Sequence, residues 1–378
     1  MPAEIVIDSP EEKNLRAEIQ GRTDPEGRRL ERFLAMPDLS RSPGNPLFEL
    51  THLTLQAESL VDFDIIKIPE IVPAYVTFDL FNMPPGHPAR SRSDTYYIND
   101  DYILRTHDTV MWYYYLNHPA IIERIKKGDS LGVVCYGKVY RKDEIDCHHM
   151  NVFHQLGGVY LVPDNQKNIV LLDLKNVLVE IAQKIFGAEV KTRFNPDVFP
   201  YTDPSLEMEI ERNGEWIEMV GCGLPRKNVL SNFGLSGYNG WAFGFGLERL
   251  AIVSMELPDI RLLWSEDPRV KRQLKLGTKY KEVSKYPPIT RDISFIVGVD
   301  FAPNDYFDLI RDIGGDLVEE VSLLDKYENT EKFGKGKVSY TYRIIYRSNE
   351  RTLREEEVSP LQEKIVQETE KQFKAEVR

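Results

Sequence analysis

Apolar residues recur along this chain first at helical and then at alternating spacing, and breakers cut the pattern into elements. Within residues 10–35, Leu15, Ile19, Leu30 and Phe33 stand among charges, in an irregular helical leader interrupted near 21–27 and ended by Pro37. After the breaker S-P-G-N-P at 42–46, Leu47, Leu50, Leu53, Leu60 and Val61 predict a helix, and Phe63, Ile65, Ile66 and Ile68 a strand that stops at Pro69. Strands are then expected at 72–77, 95–98, 102–105, 131–141 and 152–162, with helices at 110–126 and 171–186. Further strands at 206–211, 215–220 and 240–244 lead into a helix at 247–255. Strands outnumber helices and many are joined by short turns. The pattern therefore predicts an α+β domain built on a mostly antiparallel sheet flanked by helices.

A second domain follows. Residues 277–288 carry lysines and two prolines with almost no apolar periodicity, and read as a linker. Beyond them the order is strand (293–299), helix (304–313), strand (318–326), strand (338–347), helix (355–373) and a short extended end, the βαββαβ order of a ferredoxin-like domain. The expected organisation is a leader at 1–45, a main domain at 46–276, a linker at 277–287 and a small domain at 288–378.

Composition narrows the class. A chain of 378 residues accommodates one large and one small domain, and no apolar run approaches the roughly 18 residues of a membrane span. Cys135, Cys147 and Cys222 are widely spaced and form no C-x-x-C pair, which argues against a disulfide framework and for a reducing compartment. The first thirty residues mix acids with arginines, unlike a signal or transit peptide, so the protein is expected in the cytoplasm, or in an organelle after removal of a transit peptide. The net charge of −12 opposes simple tracking along nucleic acid. Local basic groups, such as Arg22, Arg28, Arg29 and Arg32, or Lys275, Lys279, Lys281 and Lys285, still leave room for a large RNA gripped at a few places.

The chemistry concentrates at 137–155, G-K-V-Y-R-K-D-E-I-D-C-H-H-M-N-V-F-H-Q. Arg141 at a strand end can grip a phosphate with its planar fork, and Phe153 on the returning strand can offer a ring face to a base. About a hundred residues later, G-F-G-L-E-R-L at 244–250 sets a second arginine, Arg249, at the start of a helix. Two arginines and an aromatic suggest ATP. Cys147, His148, His149 and His154 also invite a zinc reading, but the spacing lacks a second ligand pair.

With these segments and the βαββαβ tail in hand, the chain resembles the phenylalanyl-tRNA synthetases, in the single-chain form typical of mitochondria. The likeness rests on seven strings in family order: P-E-I at 69–71, N-M-P-P-G-H-P-A-R at 82–90, Y-R-K-D-E-I-D at 140–146, F-H-Q at 153–155, E-M-V-G-C-G at 218–223, W-A-F-G-F-G-L-E-R-L at 241–250 and K-Y-P-P-I-T-R-D-I-S-F at 285–295. It implies a class II synthetase domain, a C-terminal anticodon-binding domain and a two-step reaction. Phenylalanine and ATP, with Mg²⁺, give an adenylate, and tRNA(Phe) then takes the acyl group. A monomer and no membrane association are implied as well.

The resemblance also implies roles. Arg141 and Arg249 act as the catalytic arginines, on the α- and γ-phosphates. His148, His149, Met150, Phe153, Glu218 and Phe243 complete an ATP site, with Phe153 and Phe243 as walls for adenine and Glu218 as the Mg²⁺ ligand. His107, Asp108, Thr109, Val110, Met111, Trp112 and Gln155 surround the amino acid's polar end. Phe199, Tyr201, Gly221, Cys222, Gly223 and Ala242 surround its ring.

Two departures qualify this picture. Where the family reads L-R-T-H-T-S and then a glutamine, this chain has Asp108, Thr109 and Trp112, and where it reads F-H-Q-x-E this chain has Gly157. A carboxylate expected to pair with the substrate ammonium is thereby lost. Either Asp108 supplies that charge from across the pocket, or the chain is a paralogue that activates another amino acid, to which the Tyr201 hydroxyl would bind. A third reading, an RNA-binding module without catalysis, leaves the retained Arg141, Phe153 and Arg249 without a purpose.

Overall fold

The computed structural model describes residues 4–142, 147–348 and 350–378. The chain divides into two compact units, Met1–Tyr280 and Lys281–Arg378. In the first, β1 (Glu4–Val6) precedes two helices, α1 (Pro10–Gln20) and α2 (Pro25–Ala35). Both helices start as their sequences dictate. Ser9 and Asp24 accept from backbone N–H groups of the first turn, and each is followed by a proline whose missing N–H costs nothing there. The predicted interruption at 21–27 is therefore a break between two capped helices.

The elements that follow are α3 (Pro46–Leu55), β2 (Asp64–Lys67), β3 (Ile71–Pro73), α4 (Ala74–Phe78), β4 (Tyr102–Leu104), α5 (Met111–Leu116), α6 (Pro119–Lys127), β5 (Leu131–Tyr140), β6 (Val152–Pro163), α7 (Leu171–Phe186), β7 (Thr192–Asp197), β8 (Thr202–Arg212), β9 (Glu215–Pro225), α8 (Lys227–Ser231), β10 (Tyr238–Gly246), α9 (Leu247–Met255) and α10 (Pro268–Lys271). Eight strands form one sheet in the order β1-β2-β5-β6-β10-β9-β8-β7. It is mixed: β1 and β2, and β2 and β5, run parallel, and the other pairs antiparallel. The mostly antiparallel expectation holds for five of the seven pairs, the parallel ones lying at the β1–β2 edge, where β1 itself was not expected. A three-residue strand carries no period to read.

Three other expectations also change. The strand expected at 72–77 ends at Pro73 and turns into α4, and 95–98 contributes only an isolated bridge between Tyr97 and Ile103. The single helix at 110–126 is two, because Pro119 opens a new helix at its first position. Strand β7, with polar T-R-F-N-P-D, was invisible to apolar alternation.

One face of the sheet is covered by a large core that includes Phe78, Phe81, Trp112, Tyr115, Val133, Val159 and Leu161. Helix α3 packs on α7 and on α9, and these two reach strands β6, β9 and β10. Close packing leaves no room at Gly240, where an added Cβ would lie 1.8 Å from the Tyr160 carbonyl oxygen. Gly240→Ala is therefore expected to destabilise the unit by about 1–3 kcal/mol, measured as a lowered urea midpoint with unchanged slope.

The second unit contains β11 (Ile289–Gly298), α11 (Pro303–Gly314), β12 (Val318–Tyr327), α12 (Thr330–Phe333), β13 (Lys337–Tyr346), α13 (Glu355–Phe373) and β14 (Glu376–Val377). Its antiparallel sheet runs β12-β13-β11-β14, and α11 and α13 pack together over a core of Phe295, Tyr306, Tyr342, Ile344 and Ile365. This is the expected βαββαβ order, with the short α12 inserted in the β12–β13 connection.

Candidate active site

A row of glycines crosses the middle of the large sheet. Gly157 on β6 lies opposite Gly244 on β10, which in turn lies opposite Gly221 on β9. Residues directly opposite share a face, so the row forms a trough without side chains. Other groups fill it. A Cβ at Gly157 would lie 2.1 Å from Asp108 Oδ2, one at Gly244 would lie 3.4 Å from Asp108 Oδ1, and one at Gly221 would lie 2.7 Å from the Phe199 ring. The absence of side chains on three strands thus admits a carboxylate at one end and an aromatic ring at the other.

Asp108 comes from a 3-10 turn, Asp108–Val110, that follows β4. Its backbone N–H donates to Gln155 Oε1 at 3.0 Å, and its own Oδ2 is buried without a hydrogen-bond partner. Burial pushes its carboxyl up to about 7, against the pull of the Arg105 and Arg141 charges. Thr106 Oγ1 and both ring nitrogens of His107 are likewise buried and unpartnered. Burial, reinforced by Arg141, holds the His107 ring down at about 3, so it is neutral at physiological pH. Unsatisfied buried polar atoms are costly, and four converging on one cleft mark a place built for a polar ligand with donors and acceptors.

This cleft encloses about 610 Å³. Its apolar end holds Phe199 and Tyr201, stacked with centroids 5.9 Å apart, together with Met111, Trp112 and Ala242. The Tyr201 hydroxyl is engaged by the Thr109 side chain, and burial raises it to about 12. That leaves the hydroxyl a structural role, which weakens the reading in which it binds a different amino acid.

A second cleft of about 250 Å³ opens beside the first and shares Arg141, Gln155, Glu218, Gly221 and Gly244 with it. His148, His149, Met150, Phe153, Glu248 and Arg249 are among its other wall residues. Arg141 is anchored by donating from Nε to the Thr106 carbonyl at 3.0 Å, and its guanidinium lies 5.2 Å from the Phe153 ring centre. Glu218 and Arg249 pair at 3.1 Å while both remain half exposed. A β-bulge after Glu218 breaks the alternation of β9, so Glu218 and Gly221, three residues apart, line the same clefts. Residues 143–146, the acidic part of the loop after Arg141, lie outside the described residues.

The domain comparisons decide the family. Residues 51–274 match the tRNA synthetases class II core domain (F), and residues 284–378 match the ferredoxin-fold anticodon binding domain. The chain is 40% identical to the chloroplastic/mitochondrial phenylalanine–tRNA ligase of Arabidopsis thaliana, over 82% of this chain and 73% of that one. It is 37% identical to the mitochondrial enzyme of Mus musculus, over 79% and 72%, and 33% to that of Saccharomyces cerevisiae, over 82% and 81%. The chain belongs to the class II phenylalanine–tRNA ligases.

Most of the residues that the sequence singled out in this synthetase come together, and a few do not. Val110 is turned into the core beneath the cleft, and Gly223 lies under Pro204 and Thr202. Phe243 borders the cleft, but its ring lies on the opposite face of β10, over Gly158 and beside Trp241 and Phe245, so it is no wall for adenine. Cys222 lies opposite Phe243 and shares that face. Among the described residues no group of three or more His, Cys, Asp or Glu is disposed to hold a metal, and the buried His154 ring is bonded at both nitrogens to protein. Sequence reasoning missed Met83, His87 and Ala89 at the cleft wall, and Phe81 behind it, in edge contact with His107, Trp112 and Tyr201. The string at 82–90 was the available signal.

Proposed function

We propose that this chain ligates phenylalanine to tRNA(Phe) by way of a phenylalanyl-adenylate, using ATP and Mg²⁺. One observation carries the reading: a cleft with an aromatic end and a polar, unsatisfied end shares a wall with an arginine-flanked cleft. The amino acid's ring goes into the apolar end of the first cleft, against Phe199, Tyr201 and Ala242. Its ammonium goes to Asp108, and its carboxylate points toward the shared wall. ATP lies with its base on Phe153 and its phosphates between Arg141 and Arg249. His148 and His149 supply further donors.

Arg141 then faces the reacting phosphorus from the common wall and stabilises the charge that grows as the carboxylate attacks and pyrophosphate leaves. No side chain needs to act as a covalent nucleophile, so catalysis is positioning plus electrostatics. Glu218, a single carboxylate in the shared wall, suits Mg²⁺, which is usually held by one or two carboxylates plus substrate phosphates. The bound ion supplies charge neutralisation at the phosphates. The second unit carries the anticodon contact; the names of the relatives favour a mitochondrion or plastid, and the presence of both the synthetase core and the anticodon-binding domain in one chain favours a monomer.

The test is amino-acid-dependent ATP–pyrophosphate exchange with each of the twenty amino acids. Phenylalanine-selective exchange is the expected result; selectivity for another amino acid supports the paralogue reading, and no exchange supports a binding module. A chain ending at Tyr280 is expected to keep exchange and lose tRNA charging. Loss of both together would argue against separate roles for the two units.

A further inference from the structure

Residues 4–50 fall outside the matched synthetase core, yet the structure ties part of them, from Leu15 to Leu39, to the β5–β6 hairpin. Leu15, Ile19, Leu30 and Phe33 of α1 and α2 pack in one cluster with Tyr140 and Val152, the last residue of β5 and the first of β6. Each of these directly precedes a residue of the nucleotide cleft, Arg141 or Phe153. The buried Lys138 on β5 donates to the carbonyls of Leu34 at 3.1 Å and Met36 at 2.7 Å, at the end of α2.

Beyond α2 the contact becomes specific. The Leu39 N–H donates to His154 Nε2 at 3.0 Å, which leaves the ring proton on Nδ1, pointing at Glu248 Oε1 at 2.7 Å. The His154 N–H donates to Glu248 Oε2 at 2.8 Å, and Asp38 Oδ1 stands 3.4 Å from Nε2. His154 and Glu248 are both buried. Along β6, His154 faces the opposite side from its neighbours Phe153 and Gln155, and Glu248 immediately precedes Arg249 on α9.

We infer that residues 30–41 act as a strap in which Leu39 N–H fixes His154 and, through it, Glu248, so that β6 and α9 hold Phe153, Arg141 and Arg249 at the spacing a nucleotide needs. His154 lies outside the lining of both clefts, and Glu248 borders the second one but has both carboxylate oxygens spent on His154, so the two act as positioning residues. The inference rests on the reading of Arg141 and Arg249 as the phosphate arginines. Gln155 is held independently by the Asp108 N–H, so the amino-acid end is insulated from the strap.

Leu39 allows a backbone test. It opens a 3-10 turn, and Asp38 before it is already extended (φ −82°, ψ 103°), a conformation that accepts a following proline. Leu39→Pro removes the N–H, while Leu39→Ala removes comparable side-chain packing and keeps it.

In ATP–pyrophosphate exchange, Leu39→Pro is expected to raise the KM for ATP about tenfold over Leu39→Ala, with the KM for phenylalanine within about twofold. Equal ATP KM values in the two variants would overturn the inference. If Leu39→Pro does not fold, His154→Asn takes its place, because it keeps a donor toward Glu248 and has no atom where Nε2 stood. A raised ATP KM in that variant supports the strap, and an unchanged one overturns it. Calorimetric Kd values for ATP, measured on the same proteins, separate this outcome from failure of the functional reading, in which the unsubstituted chain gives no exchange with any amino acid.

Discussion

Asp108→Asn is expected to raise the KM for phenylalanine by about two to three orders of magnitude, with a much smaller change in kcat. The expectation follows from breaking a buried charge pair, which typically costs about 3–5 kcal/mol, and from the place of Asp108 Oδ2, buried and unpartnered above Gly157. Gly157→Ala is expected to act in the same direction, because its Cβ would lie 2.1 Å from that oxygen and displace the carboxylate. Steady-state exchange kinetics check both. A KM unchanged by Asp108→Asn would remove Asp108 from ammonium binding and reopen the question of which amino acid is activated.

The same carboxyl makes a pH prediction. Its value in the folded chain, about 7, lies above the ordinary carboxylate range near 4. The folded state therefore holds a proton that the unfolded state has lost, and this contribution to stability is full below about pH 4 and disappears as pH rises through about 7. Phenylalanine binding should respond in the opposite sense, since an ammonium favours the ionised acid. The KM for phenylalanine is expected to fall as pH rises toward and through 7, and Asp108→Asn should flatten that dependence. His107, at about 3, is neutral throughout, so it supplies no alternative titration in this window.

Arg141→Ala is expected to lower kcat for exchange by about 10²–10³, the usual consequence of removing one preorganised donor at a developing charge. Arg141→Lys should recover little of it. The guanidinium is used as a planar fork, with Nε spent on the Thr106 carbonyl and the face turned toward Phe153, and an ammonium can satisfy neither contact in the same way. Full recovery with lysine would mean that charge alone matters at this position. Amino-acid-dependent exchange at saturating ATP separates this effect from weaker nucleotide binding.

Strong periodicity made much of the fold legible. The long strands β5 and β6, the helix α9 and the βαββαβ order of the second unit all follow from apolar spacing and breakers. What escaped was short or polar: β1 has three residues, and the T-R-F-N-P-D of β7 alternates nothing apolar. At the site, Arg141, Phe153 and Arg249 were legible because each sits beside a strand end or helix start that sequence marks. Phe243 misled because an aromatic in a glycine-rich strand looks alike from either face, and only pairing with Gly158 shows which side the ring takes. The closeness of Asp108 to Gly157 joins residues from separate segments, and no local pattern in the sequence records that distance.

Arg141, Gln155, Glu218, Gly221 and Gly244 belong to the walls of both clefts, so on the proposed reading the two small substrates complete each other's surroundings. Their affinities are then linked by one coupling free energy, and whatever factor ATP lends to phenylalanine, phenylalanine lends back to ATP. A single molecule that spans the common wall, such as a non-hydrolysable mimic of the adenylate, carries that cooperativity within its own covalent frame. It should bind far more tightly than either half, through effective concentration and without any new contact to the protein.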